Sequence, residues 1–255
     1  MRNLQIFFFL IYFGVVSSQT DMHLEKTISI ETENFVGCDY NYNTYYFSNT
    51  ILSKNTEHKT LNYSNFLYGN ITSVDITNPL KIVVFYREFN VIVLLDSQLN
   101  ETDIIQIPYD ISFATKGTAN HLWLFTTNTL TIENYNFKTN TVSSSSLPLK
   151  NIDVLNMKST ENYVYLQTPF GIQTYDYLGN FISEKKIDNI KDFQYHNRIL
   201  YTLSKDTIFQ IDSSTKQFVF PSVSKIEKFY TLNNHFFIFD NSELYFFSKK
   251  KSNTN

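Results

Sequence analysis

Glycine, proline, cysteine and tryptophan are all scarce: six, five, one and one in 255 residues. A single cysteine, Cys38, excludes an intrachain disulfide. Without a neighbouring base or cation in sequence, it reads as a small buried core residue. Charge is also sparse, at 18% of residues with a formal net charge of -3. No basic excess is present to hold a phosphate backbone, so nucleic-acid binding has no electrostatic support. Long Ala/Leu/Glu/Lys windows of helical type are missing. No stretch beyond residue 16 approaches the ~20 apolar residues that span a bilayer. The nucleophile elbow G-x-S-x-G, the P-loop and G-x-G-x-x-G are absent, and no two histidines stand at His-x-x-x-His spacing.

What is abundant is aromatic: 24 Phe and 18 Tyr, in a chain that is 42% hydrophobic. Aromatic and β-branched residues suit a half-buried pleated surface. Short apolar runs recur at Tyr45–Ser48, Ile82–Phe85, Leu122–Phe125, Val164–Gln167, Leu200–Leu203 and Phe236–Phe239. Their spacing is about 40 residues, the length of a four-stranded propeller blade. Each unit has the same grammar of β-rich runs separated by Asn, Asp, Ser, Pro or Gly turns. The expected fold is all-β: a six-bladed β-propeller of four-stranded antiparallel blades. The last unit supplies only three strands, Ile226–Leu232, Phe236–Asp240 and Glu243–Ser248. A spare strand at Lys26–Ile30 is expected to complete that blade and close the ring, removing an exposed edge. An all-β sandwich is the alternative, disfavoured by the regularity of the repeat.

Residues 1–18 read as a secretory signal peptide: Arg2, then an apolar run from Leu4 to Val16, then Ser17-Ser18 before a cut ahead of Gln19. Residues 19–248 form the expected single propeller domain, and 249–255 a basic and polar tail. An exported location, periplasmic or extracellular, follows from that leader.

The segment Thr207–Phe220 (TIFQIDSSTKQFVF) resembles the quinoprotein-type propeller repeat. Gly171–Lys186 (GIQTYDYLGNFISEKK) is similar to the same repeat and to NHL-type repeats. The docking tryptophan of quinoproteins is missing, and no quinone-binding residue carries over. The Asn-, Ile-, Lys-, Tyr- and Phe-rich composition is similar to exported proteins of Bacteroidetes. The resemblance implies a non-catalytic, protein-binding scaffold or adaptor of a bacterial cell envelope, by analogy with propellers of outer-membrane assembly or secretion complexes. The alternative is a lactonase-like or sugar-processing hydrolase, or small-ligand binder, that uses the central channel.

Function is sought in what does not repeat. Tyr63, Phe66, Leu67 and Tyr68 interrupt the repeat in a long polar segment, and Asn78-Pro79 form the least repeat-like turn. These six are the candidate partner-binding residues. The expected partners are envelope proteins, with peripheral membrane contact through Lys249-Lys250-Lys251. No catalytic residue, cofactor or metal is expected. Asp39, Asp75 and Asp153 near the inner strands are what the hydrolase alternative would need. Asp96, Asp176, Asp212 and Asn136 recur at one turn and read as turn caps. His121 and His235 occupy equivalent turns, and Ser143–Ser146 reads as a loop entering an outer strand.

Overall fold

The computed structural model describes residues 18–32, 34–149, 153–212, 215–240 and 242–249. The expected signal peptide, apart from Ser18, lies outside the described residues, as do Lys250, Lys251 and the rest of the tail.

After β1 (Ser18–Ser29), a first blade is built from β2 (Asn34–Cys38), β3 (Thr44–Ser48), β4 (Ile51–Asn55) and β5 (Thr60–Ser64). The second blade holds β6 (Ser73–Asp75), β7 (Ile82–Tyr86), β8 (Val91–Leu95) and β9 (Glu101–Gln106). The third holds β10 (Ile111–Lys116), β11 (His121–Thr126), β12 (Ile132–Asn136) and β13 (Thr141–Ser145). The fourth holds β14 (Asn156–Ser159), β15 (Tyr163–Thr168), β16 (Gly171–Asp176) and β17 (Phe181–Lys186). Then follow β18 (Ile190–His196), β19 (Ile199–Ser204), β20 (Thr207–Ile211), β21 (Thr215–Val219), β22 (Lys228–Leu232), β23 (His235–Asp240) and β24 (Glu243–Lys249).

Six separate blades are not what forms. Four sheets are discrete and four-stranded, whereas the last two repeats belong to one eight-stranded sheet in the order β18-β19-β20-β21-β1-β24-β23-β22. The cause is the length of β1, 12 residues where the other strands have three to seven. Met22–Ser29 pair antiparallel with β24, in the register Lys26↔Phe246 and Ile28↔Leu244. Ser18–Asp21 run past the end of β24 and pair in parallel with β21, Thr20 opposite Phe218. One strand therefore covers two edges: Met22–Ser29 supply the outer strand the last repeat lacks, as expected of the spare strand, and Ser18–Asp21 go on to weld that repeat to the one before it. Lys249, assigned above to a tail, closes β24 opposite Met22 and holds its ammonium 5.5 Å from the Phe218 ring centroid.

Sheets packed face to face bury both surfaces of a strand, so apolar residues need not alternate. β7 (IVVFY) and β8 (VIVLL) are buried at every position. Trp123 sits 1% exposed between the third and fourth blades with Phe125, Met157 and Leu166, a core residue as its context suggests. Cys38 is buried beside Phe35 and Phe237, and burial pushes its thiol pKa well up, which makes it inert.

Two local expectations change. β6 is only three residues long, because the chain turns at Asp75, whose Oδ1 accepts the Thr77 N–H at 2.8 Å. Ser143–Ser145 lie inside β13 rather than in a loop, and Ser146 leaves the ladder with its Oγ accepting the Ile132 N–H at 3.0 Å.

Candidate functional site

Antiparallel alternation sorts the turns onto two faces. Turns joining first to second and third to fourth strands of a blade lie on one face. Turns joining second to third strands, and connections between units, lie on the other. The inner strands β2, β6, β10, β14, β18 and β22 surround a central cavity of about 550 Å³.

The wall of this cavity is stitched by side chains reaching from one inner strand to the next. Lys116 donates its N–H to Asp75 Oδ2 at 2.8 Å, and Ser159 Oγ donates to the Lys116 carbonyl at 2.6 Å. Lys158 Nζ pairs with Asp192 Oδ1 at 3.0 Å and also donates to the Phe193 carbonyl. Burial pushes the Lys158 ammonium pKa down against the opposing pull of Asp192. Lys191 Nζ reaches the Ile226 carbonyl at 2.7 Å, and His196 Nε2 accepts the Asn233 N–H at 3.0 Å. Burial lowers the His196 pKa, in keeping with a neutral ring that accepts at Nε2.

The carboxylates needed by a channel hydrolase are occupied by the fold. Asp39 Oδ1 accepts the Asn41 and Asn43 N–H groups at 2.9 and 3.1 Å. Its Oδ2 accepts from Tyr45 Oη at 3.0 Å and from Asn43 Nδ2 at 2.9 Å, and lies 3.5 Å from Lys54 Nζ. Asp75 is held by Thr77 and Lys116. Asp153 is exposed and does not line the cavity. Among the described residues, no three His, Cys, Asp or Glu side chains are grouped to hold a metal ion.

Asp96, Asp176 and Asn136 cap their turns. Asp96 accepts from the Gln98 and Asn100 N–H groups at 2.8 and 2.9 Å, and Asp176 from those of Leu178 and Asn180 at 2.9 and 2.8 Å. Asn136 accepts the Lys138 N–H at 3.0 Å in the same way. The bonds from Asn100 hold Asp96 below its ordinary pKa. Slight burial pushes Asp176 up, but the backbone and side-chain bonds of Asn180 outweigh it and the net shift is downward. Asp212 accepts from Gln210 Nε2 at 2.6 Å. His121 and His235 open β11 and β23: His121 Nε2 lies 3.0 Å from Ser143 Oγ of its own blade, and His235 Nδ1 lies 3.3 Å from Tyr42 Oη of the first blade.

The six candidate partner-binding residues do not form one patch. Tyr63 is buried, its hydroxyl donating to Glu101 Oε1 at 2.9 Å. Tyr68 is half-buried against Tyr86, ring centroids 5.6 Å apart. Both belong to the packing between the first and second blades. Phe66 and Leu67 stand out, 78% and 75% exposed, on a short 3-10 turn of the connecting face. Asn78 and Pro79 are half-buried on the opposite face, where Asn78 Oδ1 accepts the Leu80 N–H at 3.0 Å.

The sequence places an outer strand at Phe181–Lys185, observed as β17, but marks none of its residues as a candidate for binding. Every residue of this strand is exposed, and it ends its sheet with no strand beyond it. The other three free outer strands are tied to a neighbour. Tyr63 and Asn65 beside β5 reach Glu101 of β9, Asp103 of β9 pairs with Lys138, and Ser144 of β13 donates to the Tyr177 carbonyl. From β17, Lys185 reaches across to the Ile211 carbonyl at 3.2 Å. Phe181 and Ile182 are left 55% and 53% exposed beside Tyr177 and Leu178. The signal in the sequence is FISEKK itself, whose two apolar residues are adjacent rather than alternating.

No known sequence family matches the chain, and no curated protein matches it. Solved structures do match. BamB from Moraxella catarrhalis is 9% identical with a TM-score of 0.55, over 89% of this chain and 99% of that one. Virginiamycin B lyase from Staphylococcus aureus is 9% identical with a TM-score of 0.59, over 90% and 94%. The WD40 β-propeller domain of Doa1 is 11% identical with a TM-score of 0.59, over 86% and 79%. The chain folds as a β-propeller. Identities this low establish the fold and carry no chemistry with them. No helix among the described residues is long and apolar enough to cross a membrane.

Proposed function

We propose that this propeller is a protein-binding scaffold or adaptor, exported through its N-terminal leader to act in the cell envelope. The observation that carries the binding role is the exposed apolar start of β17, where Phe181 and Ile182 follow the exposed Tyr177 and Leu178. An uncovered edge with exposed aromatic and aliphatic side chains is a surface that proteins ordinarily cover or break up. Phe66 and Leu67 supply a second exposed apolar pair on the perimeter. The carboxylates around the cavity support the same reading, since Asp39, Asp75 and Asp192 each hold one strand or turn to the next. Export is supported by the leader and by β1. A cut ahead of Gln19 leaves the pairing of Gln19 with Gln217 and everything after it in place.

The test is capture of partners from an envelope extract by the purified mature protein. A Phe181→Ser/Ile182→Ser variant is expected to lose the captured protein while keeping its Tm. A Phe66→Ser/Leu67→Ser variant shows whether the second pair contributes. Equal recovery by wild type and both variants, or recovery of no specific protein, would overturn the proposal.

A further inference from the structure

A second cavity, of about 470 Å³, opens on the face opposite Phe66, between the hairpin turns of the first and second blades. Asp39, Tyr40 and Pro79 line both this groove and the central cavity, so the groove runs outward from the channel mouth. Its far end is marked by Lys59 and Gln98.

Three features of the groove bear on what it could hold. The first is an aromatic platform. Tyr40 is 69% exposed, yet it sits on a turn fixed by four hydrogen bonds to Asp39. Its neighbour Tyr42 is committed elsewhere, edge-on to His235 at 5.3 Å between ring centroids. Across the groove Leu80 is 74% exposed, held out by the Asn78 turn and by Lys81, whose N–H donates to the Asn78 carbonyl at 2.9 Å. Apolar rims on rigid turns lose little entropy when they bind.

The second feature is the floor. Lys54 is buried there, its Nζ donating to the Ser97 carbonyl at 2.9 Å and lying 3.5 Å from Asp39 Oδ2. An ammonium has three donors. Here the Ser97 carbonyl, the Asp39 carboxylate and the Tyr45 ring, its centroid 5.2 Å from Nζ, surround it, so its charge is balanced within the fold. The third feature is the wall chemistry. Asn41 and Gln98 bring amides and Ser97 a hydroxyl, Asn43 and Asn78 each bring the amide atom their turn does not use, and the Thr56 hydroxyl is spent on the Lys59 carbonyl.

The geometry points to a binding site for an extended neutral oligosaccharide. A sugar ring offers an apolar C–H face to an aromatic or aliphatic platform and a rim of hydroxyls to amides. Asp39 balances Lys54, the remaining cation Lys59 stands exposed at the far end where it can donate to a hydroxyl, and the length of the groove suits several linked rings better than one. A peptide would need separate apolar pockets for its side chains, and the amide-lined walls do not provide them. This inference is independent of the β17 edge.

The test is isothermal titration of the mature protein with cellohexaose, xylohexaose, mannohexaose and chitohexaose, beside a neutral hexapeptide. At least one sugar is expected to bind. Tyr40→Ala is expected to weaken it by about tenfold or more, and Leu80→Asp to weaken it as well, while Tyr40→Phe stays within about threefold because the ring face remains. Both residues are exposed turn positions, so unchanged Tm separates loss of the site from loss of the fold. Absence of binding by all four sugars at millimolar concentration, binding indifferent to Tyr40→Ala, or preference for the hexapeptide would each overturn the assignment.

Discussion

The junction between the first and second blades and the junction between the fourth blade and β18 solve the same packing problem in opposite ways. The former buries thirteen apolar side chains in one cluster, among them Leu52, Tyr63, Val84, Tyr86 and Val93. The latter has four buried ones among the described residues, Tyr165, Ile172, Phe193 and Leu200. In place of the missing apolar area it has the Lys158–Asp192 pair, Gln167 Nε2 donating to the Ile190 carbonyl at 2.8 Å, and Tyr165 stacked on Tyr195 at 4.3 Å. Burial of each large apolar side chain is worth ~1.5–3 kcal/mol, whereas the attraction within a pair as buried as Lys158–Asp192 is offset by its desolvation. The fourth blade is therefore held less strongly on that side, and it is also the blade whose outer strand lies open. A ring of similar repeats is not a ring of equal joints, and its weakest joint adjoins its most available edge.

The severest way to break this comparison is to remove the strand that closes the ring. Deleting residues 19–31 uncovers β21 and β24 together and removes Met22 and Ile30, both of them buried core side chains. Loss of cooperative thermal unfolding is expected, read by near-UV circular dichroism and calorimetry. If that deletion left the transition unchanged, the weld through β1 would carry no stability, and closure would have to rest on the blade junctions alone.

A smaller effect sharpens the contrast directly. Leu52→Ala in the dense junction is expected to cost about 3–5 kcal/mol, and Ile172→Ala in the thin one about 2 kcal/mol, both by urea denaturation. Equal costs would mean that the fourth blade is packed as firmly as the second.

The smallest effect lies in the turns, where the blades should not differ. Asp96 and Asp176 have folded pKa values below the ordinary carboxylate value, so their stabilisation is present above about pH 4 and is lost as pH falls through the depressed folded values. Asp96→Ala and Asp176→Ala should each lower Tm at pH 7 by less than about 3 °C and flatten the fall in Tm between pH 4 and pH 2. Unequal losses would show that turn chemistry, too, depends on the blade.

The strands were legible because their signals are short-range. Val91–Leu95 and Thr207–Ile211 stand where their apolar runs place them, bounded by Asn90 and Asp96 in one case and by Asp206 and Asp212 in the other. Turn caps were legible for the same reason, since an Asp carboxylate bonds N–H groups two and four residues on. The candidate site was less so. Tyr63 and Phe66 are both aromatics in one polar segment, yet one is buried and the other exposed. Sequence spacing does not say which side of the segment meets the neighbouring blade.

By itself, then, the sequence determined the β-strands, their turns, the repeat of about 40 residues and the propeller that follows from it. Only the tertiary structure decided how the ring closes, which joints are dense, which edge stays open and which turns meet at the groove beside Tyr40. The physical reason is range. Hydrophobic patterning and turn chemistry act over a few residues, whereas β1 pairs with strands about 200 residues away, and Tyr42 meets His235 across 193 residues. Such contacts depend on where every intervening blade has been placed.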